Sequence, residues 1–167
     1  MQAVGVDEIA AEAGVTKMTL YRHFTSKDLL VATCLEAAAQ NDLAAFDEIA
    51  QRYAGEPAEQ LRAILAAVAA KIASPGYRGW SATNIVMELT DAAHPARKVA
   101  ETAKTLTRAR ILDLAVSAKA LRPQSLADGL MLLIEGAAAS RHAFADGGPA
   151  TSLVEIGGEL LTVHGVT

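Results

Sequence analysis

Three cations, a histidine and a tyrosine crowd into one short stretch of this 167-residue chain. Residues 6–27 read VDEIAAEAGVTKMTLYRHFTSK and hold Lys17, Tyr21, Arg22, His23 and Lys27. Lys and Arg neutralise phosphates, and Arg, Lys and hydroxyl groups hydrogen-bond to base edges, so this set suits nucleic acid. The residues around it describe two short helices crossing at a tight turn. Ala10 and Ala13 are small where the helices must touch. Gly14 tolerates the positive φ of such a turn, and Thr16 is a good N-cap for a helix over 17–23. Val15 and Leu20 are expected to face inward. Lys17, Met18, Thr19, Tyr21, Arg22 and His23 then face outward, and Lys27 at the start of the next helix is near enough to reach a phosphate. A helix of this size fits a DNA major groove. The competing reading is a helical hairpin whose polar face is merely solvated.

A second set of residues suits a small-molecule pocket, which shows polar groups within an otherwise apolar stripe. Trp80, Asn84, Met87 and Glu88 share one side of a helix over about 80–91. Met131, Glu135 and His142 share one side of a helix over about 123–145. Taken singly, each is also explained as an exposed or satisfied polar residue beside the core. Together they predict a wall that is apolar with a few hydrogen-bonding groups.

Enzymatic chemistry finds little support. The four histidines, His23, His94, His142 and His164, form no HExxH and no Glu-x-x-His pattern. Asp91 and His94 have helical spacing but precede Pro95, where a capped turn accounts for them. Cys34 falls on an apolar stripe and is expected in the core. No glycine-rich phosphate loop follows a strand. The reading is of a non-enzyme with no metal and no cofactor.

The elements that position these residues are helical. Apolar residues recur at spacings of three and four, and no segment alternates at period two over a useful length. Short helices are expected over 6–13 and 17–23. A long one begins near Thr25–Ser26, with Thr25 and Asp28 resembling a capping box, and stops at Gly55. Others follow over 57–73, 80–91, 95–118, 123–145 and 150–163. They are broken at Ser74-Pro75-Gly76, His94-Pro95, Pro123 and Gly147-Gly148-Pro149. Hydrophobic residues make up 51% of the chain and charged residues 20%, which excludes disorder. Aromatics are only 4%, and the abundance of Ala and Leu favours helix. One cysteine allows no internal disulfide. No apolar run is long and clean enough to cross a bilayer, and no signal peptide opens the chain, so a cytoplasmic location without membrane partners is expected. The net charge of −4 argues against bulk nucleic-acid binding yet leaves room for a small basic surface. The fold class is therefore all-α: an N-terminal helix-turn-helix over 1–27, followed by a helical body over 28–167.

The string GVTKMTLYRHFTSKDLL resembles the recognition helix and the start of the fourth helix in the tetracycline-repressor (TetR) family of transcriptional regulators. PGYRGWSATNIVMELTDAAHPARK is similar to the turn and sixth helix of many members, and the helix order agrees along the whole chain. The resemblance implies phosphate contacts by Tyr21, His23 and Lys27 with Arg22 beside them. It implies base-edge or groove contacts by Thr16, Lys17, Met18 and Thr19. It further implies a repressor arrangement: a homodimer on palindromic operator DNA, released by an unknown small-molecule effector. The dimer would form through the helices at about 123–145 and 150–163. Leu126, Leu130, Leu133, Ile134 and Ala137 are its candidates on one helix, and Leu153, Ile156, Gly157, Leu160 and Leu161 on the other. Close approach would be helped by Gly136, Ala138 and Gly158. The family has a first helix before this motif, whereas Met1 stands just before the second, so the expectation is either a start placed too late or a head lacking that helix, in which case Ile9, Ala13 and Phe24 are short of cover. A helical protein-interaction module with a degenerate DNA-binding head is the alternative.

Overall fold

A computed structural model describes residues 4–144 and 148–167. The expected break at Gly147, the expected helix end at residue 145 and the chain start at Met1 lie outside the described residues. Those residues form α1 (Val6–Glu12), α2 (Lys17–His23), α3 (Lys27–Arg52), α4 (Pro57–Ala73), α5 (Ser81–Glu88), α6 (Pro95–Ser117), α7 (Pro123–Ala143) and α8 (Leu153–Val163), with a 3-10 turn at Pro149–Ser152. No strand occurs among them. Proline opens α4, α6, α7 and the 3-10 turn. At a first helical position its missing N–H has no partner to lose, and its fixed φ already suits the helix.

The main core gathers Phe46 from α3, Leu61, Ile64, Leu65, Val68 and Ile72 from α4, Ile111 and Ala115 from α6, Leu126, Leu130 and Ile134 from α7, and Leu153 and Leu161 from α8. The α4 residues recur at three and four, so one stripe of that helix is buried along its length. Its approach to α8 is close. A Cβ on Gly157 would stand 2.6 Å from Leu65 Cδ1, so glycine is what lets these helices meet. A second, smaller core joins Ala32 and Leu35 of α3 to Ile85 of α5 and Ala96 and Ala100 of α6. It lies between the N-terminal half of α3, which leads into the head, and the helices carrying the second candidate set.

Four expectations are corrected. The cap of α3 is Ser26, whose Oγ accepts the Leu29 N–H at 3.1 Å, in place of Thr25. Cys34 is exposed, because the stripe of α3 that turns inward runs through Ala32 and Leu35 instead. Val15 is exposed as well; its N–H bonds to Ala10 O at 2.9 Å, so the backbone of the turn, and not the Val15 side chain, ties it to α1. Most of the residues assigned to a dimer face are interior: Leu126, Leu130, Ile134, Ala137, Leu153, Gly157 and Leu161 are buried within the single chain. They cover α4 and one another, so of the expected set only Ile156 and Gly136 stand exposed, with Leu133, Gly158 and Leu160 half-buried.

Candidate nucleic-acid interface and internal cavity

The head is built by backbone and cap bonds more than by a core. Ala10 and Leu20 are its buried side chains. Gly14 has φ +66°, which turns the chain between α1 and α2. The Thr16 hydroxyl accepts the Thr19 N–H at 3.1 Å and lies 2.9 Å from the Thr19 hydroxyl, which satisfies one of the free N–H groups at the start of α2.

The expected DNA-facing residues fall on one outer surface. Thr16, Lys17, Met18, Tyr21, Arg22 and His23 are exposed, with Met18 at 82%; Thr19 and Lys27 are half-buried. Lys17 Nζ pairs with Asp7 Oδ2 of α1 at 2.9 Å, and that hydrogen bond and charge raise its pKa above the ordinary lysine value. Lys27 Nζ donates to Val4 O at 2.8 Å. Both lysines are thus held by partners N-terminal to α2, Lys17 by a side chain of α1 and Lys27 by a backbone carbonyl before it. Beside this surface, Val4, Glu8, Ile9, Glu12 and Ala13 line a shallow groove.

The second set divides. Trp80, Met131 and Glu135 line an internal cavity of about 50 Å³ with Leu35, Phe46, Val68 and Ile134 as apolar walls. Met87 is 80% exposed and Glu88 is exposed; neither lines this cavity, because α5 turns Ile85 inward and presents those two on its outer side. Asn84 also stands outside the lining and donates to Arg78 O at 2.7 Å, which shapes the bend before α5. His142 is exposed and stacks on Tyr77, with ring centroids 6.2 Å apart. A neighbouring cavity of about 200 Å³ is lined by Asn41, Lys71, Tyr77 and Gly79, and it shares Ala38, Asp42, Trp80 and Ser81 with the first.

Sequence reasoning missed much of the polar wall. Glu135 of α7 is bonded by both oxygens: Oε1 to Lys104 of α6, and Oε2 to the Thr83 hydroxyl of α5 at 2.7 Å. Lys71 of α4 pairs with Asp42 of α3. The ammonium groups of Lys71 and Lys104 lie 4.6 and 5.7 Å from the centre of the Trp80 ring, within range of a cation–π attraction. The Tyr77 hydroxyl is pushed up to about 12, first by burial and then by the negative charges of Glu135 and Asp42. Asp42 could have been found in the sequence. It interrupts the stripe Leu35, Ala39, Phe46 at helical spacing, the same signal that marked Glu135.

A polar contact ties the body together next to the head. His94 Nδ1 accepts the Ala96 N–H at 3.1 Å, which leaves the proton of a neutral ring on Nε2. Nε2 lies 3.2 Å from Asp28 Oδ1, one residue after Lys27. The start of α6 is therefore tied to the first turn of α3.

Among the described residues no group of three or more His, Cys, Asp or Glu side chains is arranged to hold a metal ion. Among them, too, no helix is long and apolar enough to cross a membrane.

Comparison with known proteins agrees with this arrangement. Residues 1–34 match the model of bacterial regulatory proteins of the tetR family. A TetR-family transcriptional regulator from Streptomyces coelicolor is similar in structure over 97% of this chain and 85% of its own, with TM-score 0.89 and 28% identity. A TetR-type regulator from Streptomyces avermitilis is similar over 99% of this chain and 89% of its own, with TM-score 0.84 and 28% identity. No curated protein matches the chain. This fold and family are those of transcriptional regulators and not of enzymes. With the motif in the first 34 residues and the same helical architecture through the body, the chain is similar to TetR-family transcriptional regulators at both its head and its body.

Proposed function

We propose that the protein is a cytoplasmic repressor that binds palindromic operator DNA as a homodimer and is released by a small-molecule effector. The observation that carries the reading is the outer surface of α2, where Lys17, Met18, Tyr21 and Arg22 stand exposed on a helix anchored from beneath by Leu20. Such a surface meets both needs of operator binding. Tyr21, Arg22, His23 and Lys27 fix position on phosphates, while Thr16, Lys17, Met18 and Thr19 enter the groove and read bases.

The homodimer is supported by apolar side chains that the single chain leaves uncovered on its last two helices. Leu132 on α7 and Val154, Ile156 and Val163 on α8 are exposed, and the outer faces at Gly136 and Gly158 meet nothing within 4 Å. A patch of this kind marks an association surface, and two-fold pairing places the same patch on both partners.

Effector release is supported by the junction at Glu135. A ligand that fills the cavity beside Glu135 bears on α6 through Lys104 and on α5 through Thr83, and α6 reaches α3 beside Lys27 through His94 and Asp28. The ligand must favour one spacing of the two heads over the other to move that equilibrium.

The test is fluorescence anisotropy with operator duplexes and the full chain. Tyr21→Ala and Lys27→Ala should weaken every sequence alike, since phosphates carry no sequence information, while Lys17→Ala should change which sequence is preferred. Unchanged affinity in both Tyr21→Ala and Lys27→Ala sinks the reading.

A further inference from the structure

The polar groups around the two neighbouring cavities are unequally satisfied. Their carboxylates are engaged. Both oxygens of Glu135 have partners, and Asp42 is paired with Lys71. Two groups able to donate are left unmet. Trp80 Nε1 and the Tyr77 hydroxyl are buried and make no hydrogen bond. An indole N–H donates and cannot accept. Tyr77 keeps its proton to about pH 12 because burial and the carboxylates of Glu135 and Asp42 oppose its ionisation, so it also stands ready as a donor.

Charge narrows the choice further. Lys71 and Lys104 balance Asp42 and Glu135. A cationic ligand approaching the Trp80 ring meets two ammonium groups already there, at 4.6 and 5.7 Å, and carboxylates that are already held. An anionic ligand meets the same two carboxylates. A neutral acceptor satisfies the orphaned donors and opens neither ion pair. The remaining wall, from Leu35, Phe46, Val68, Met131 and Ile134, is apolar. Neighbouring volumes of about 50 and 200 Å³, which share Ala38, Asp42, Trp80 and Ser81 in their walls, suit a molecule of about one ring.

We infer that the ligand of this site is a small neutral molecule, apolar over most of its surface, whose carbonyl oxygen accepts hydrogen bonds from Trp80 Nε1 and the Tyr77 hydroxyl. The inference rests on the effector reading above and names the chemistry of that effector. It predicts rejection of amines and carboxylic acids of the same shape, because each carries a charge that the balanced wall does not match.

The experiment is titration calorimetry on the full chain with one cyclohexyl skeleton bearing four end groups. The probes are acetylcyclohexane, cyclohexanecarboxylate, cyclohexylmethylammonium and ethylcyclohexane. Acetylcyclohexane should bind at least tenfold tighter than each of the others. In Trp80→Phe and Tyr77→Phe, which keep a ring and lose the donor, its margin over ethylcyclohexane should fall to threefold or less. Retained ethylcyclohexane binding shows that the cavity survives in those variants. No binding by the ketone, equal or tighter binding by the acid or the amine, or an undiminished margin in both variants overturns the inference. DNA affinity measured with saturating ketone separates the two claims. A ketone that binds with the stated margin and leaves DNA affinity unchanged upholds the ligand class and defeats effector release.

Discussion

Leu132→Glu separates the surface of α7 from its interior. Leu132 is 75% exposed in the single chain, while Leu130, two residues earlier, is 1% exposed. Fully burying a leucine side chain contributes about 1.5–3 kcal/mol. In a two-fold interface the same residue is lost from both partners, so the dimer loses roughly 3–6 kcal/mol. At about 1.4 kcal/mol per tenfold, the dimer dissociation constant should rise by about 10² to 10⁴, and a buried glutamate adds to that. The folded chain should be little affected, because Leu132 touches little of its own core. Leu130→Ala is the control: it leaves a hole in that core and should cost about 2–5 kcal/mol of folding stability. Sedimentation across a concentration series, with circular dichroism on the same samples, reads both quantities. A Leu132→Glu protein that keeps its helical signal and stays dimeric to nanomolar concentration would refute the assignment of this face. So would loss of helical signal in that variant, because the residue would then belong to the core.

Gly157→Ala should lower stability by about 1–3 kcal/mol through overpacking, since the new methyl would meet Leu65, which is buried and has nowhere to go; thermal unfolding should shift down by roughly 2–12 °C. Tyr77 has a folded pKa of about 12 against an ordinary 10.0. Its proton is held more tightly in the folded state, so its contribution is intact below pH 10 and is lost as pH rises from 10 to 12. Denaturant titrations should show that alkaline loss, and Tyr77→Phe should lack this component of it. Asp7→Ala removes the partner of Lys17, and since exposed pairs contribute about 0–1 kcal/mol, operator affinity by anisotropy should improve by up to about fivefold; a weaker complex would mean that Asp7 orients Lys17 for DNA.

Helix boundaries were legible wherever a local residue sets them. The helix read over 57–73 is α4 as observed, because Pro57 opens it and Ser74-Pro75-Gly76 stops it. The turn at Gly14 and the cap at Thr16 were legible for the same reason. Which face of an apolar helix turns inward was less so. α7 carries apolar residues on several sides, and spacing does not say whether Leu126, Leu130 and Ile134 meet a neighbouring helix or a second chain. Packing against α4 settles it. Cys34 was misplaced because its neighbours Ala32 and Leu35 define a stripe that excludes it by about a quarter turn. In the cavity, Trp80, Met131 and Glu135 were found as polar or bulky interruptions of an apolar stripe. Lys104 gave no such signal. It sits in AETAKTLTR, a polar run, and becomes part of the site only because α6 crosses α7 at Glu135. Met87 and Glu88 were included on spacing alone, and α5 turns Ile85 inward, which leaves both out of the cavity lining.

The central claim is that paired copies of α2 read DNA. Selection from a random duplex library with the full-length protein, followed by anisotropy on the enriched sites, tests it most directly. The account predicts inverted repeats with half-sites about one helical turn apart, roughly 34–36 Å, bound by one dimer, with all binding weakened in Tyr21→Ala and a changed half-site in Lys17→Ala. No enrichment, or enrichment of the same sequences with equal affinity by wild type, Tyr21→Ala and Lys17→Ala, would contradict it.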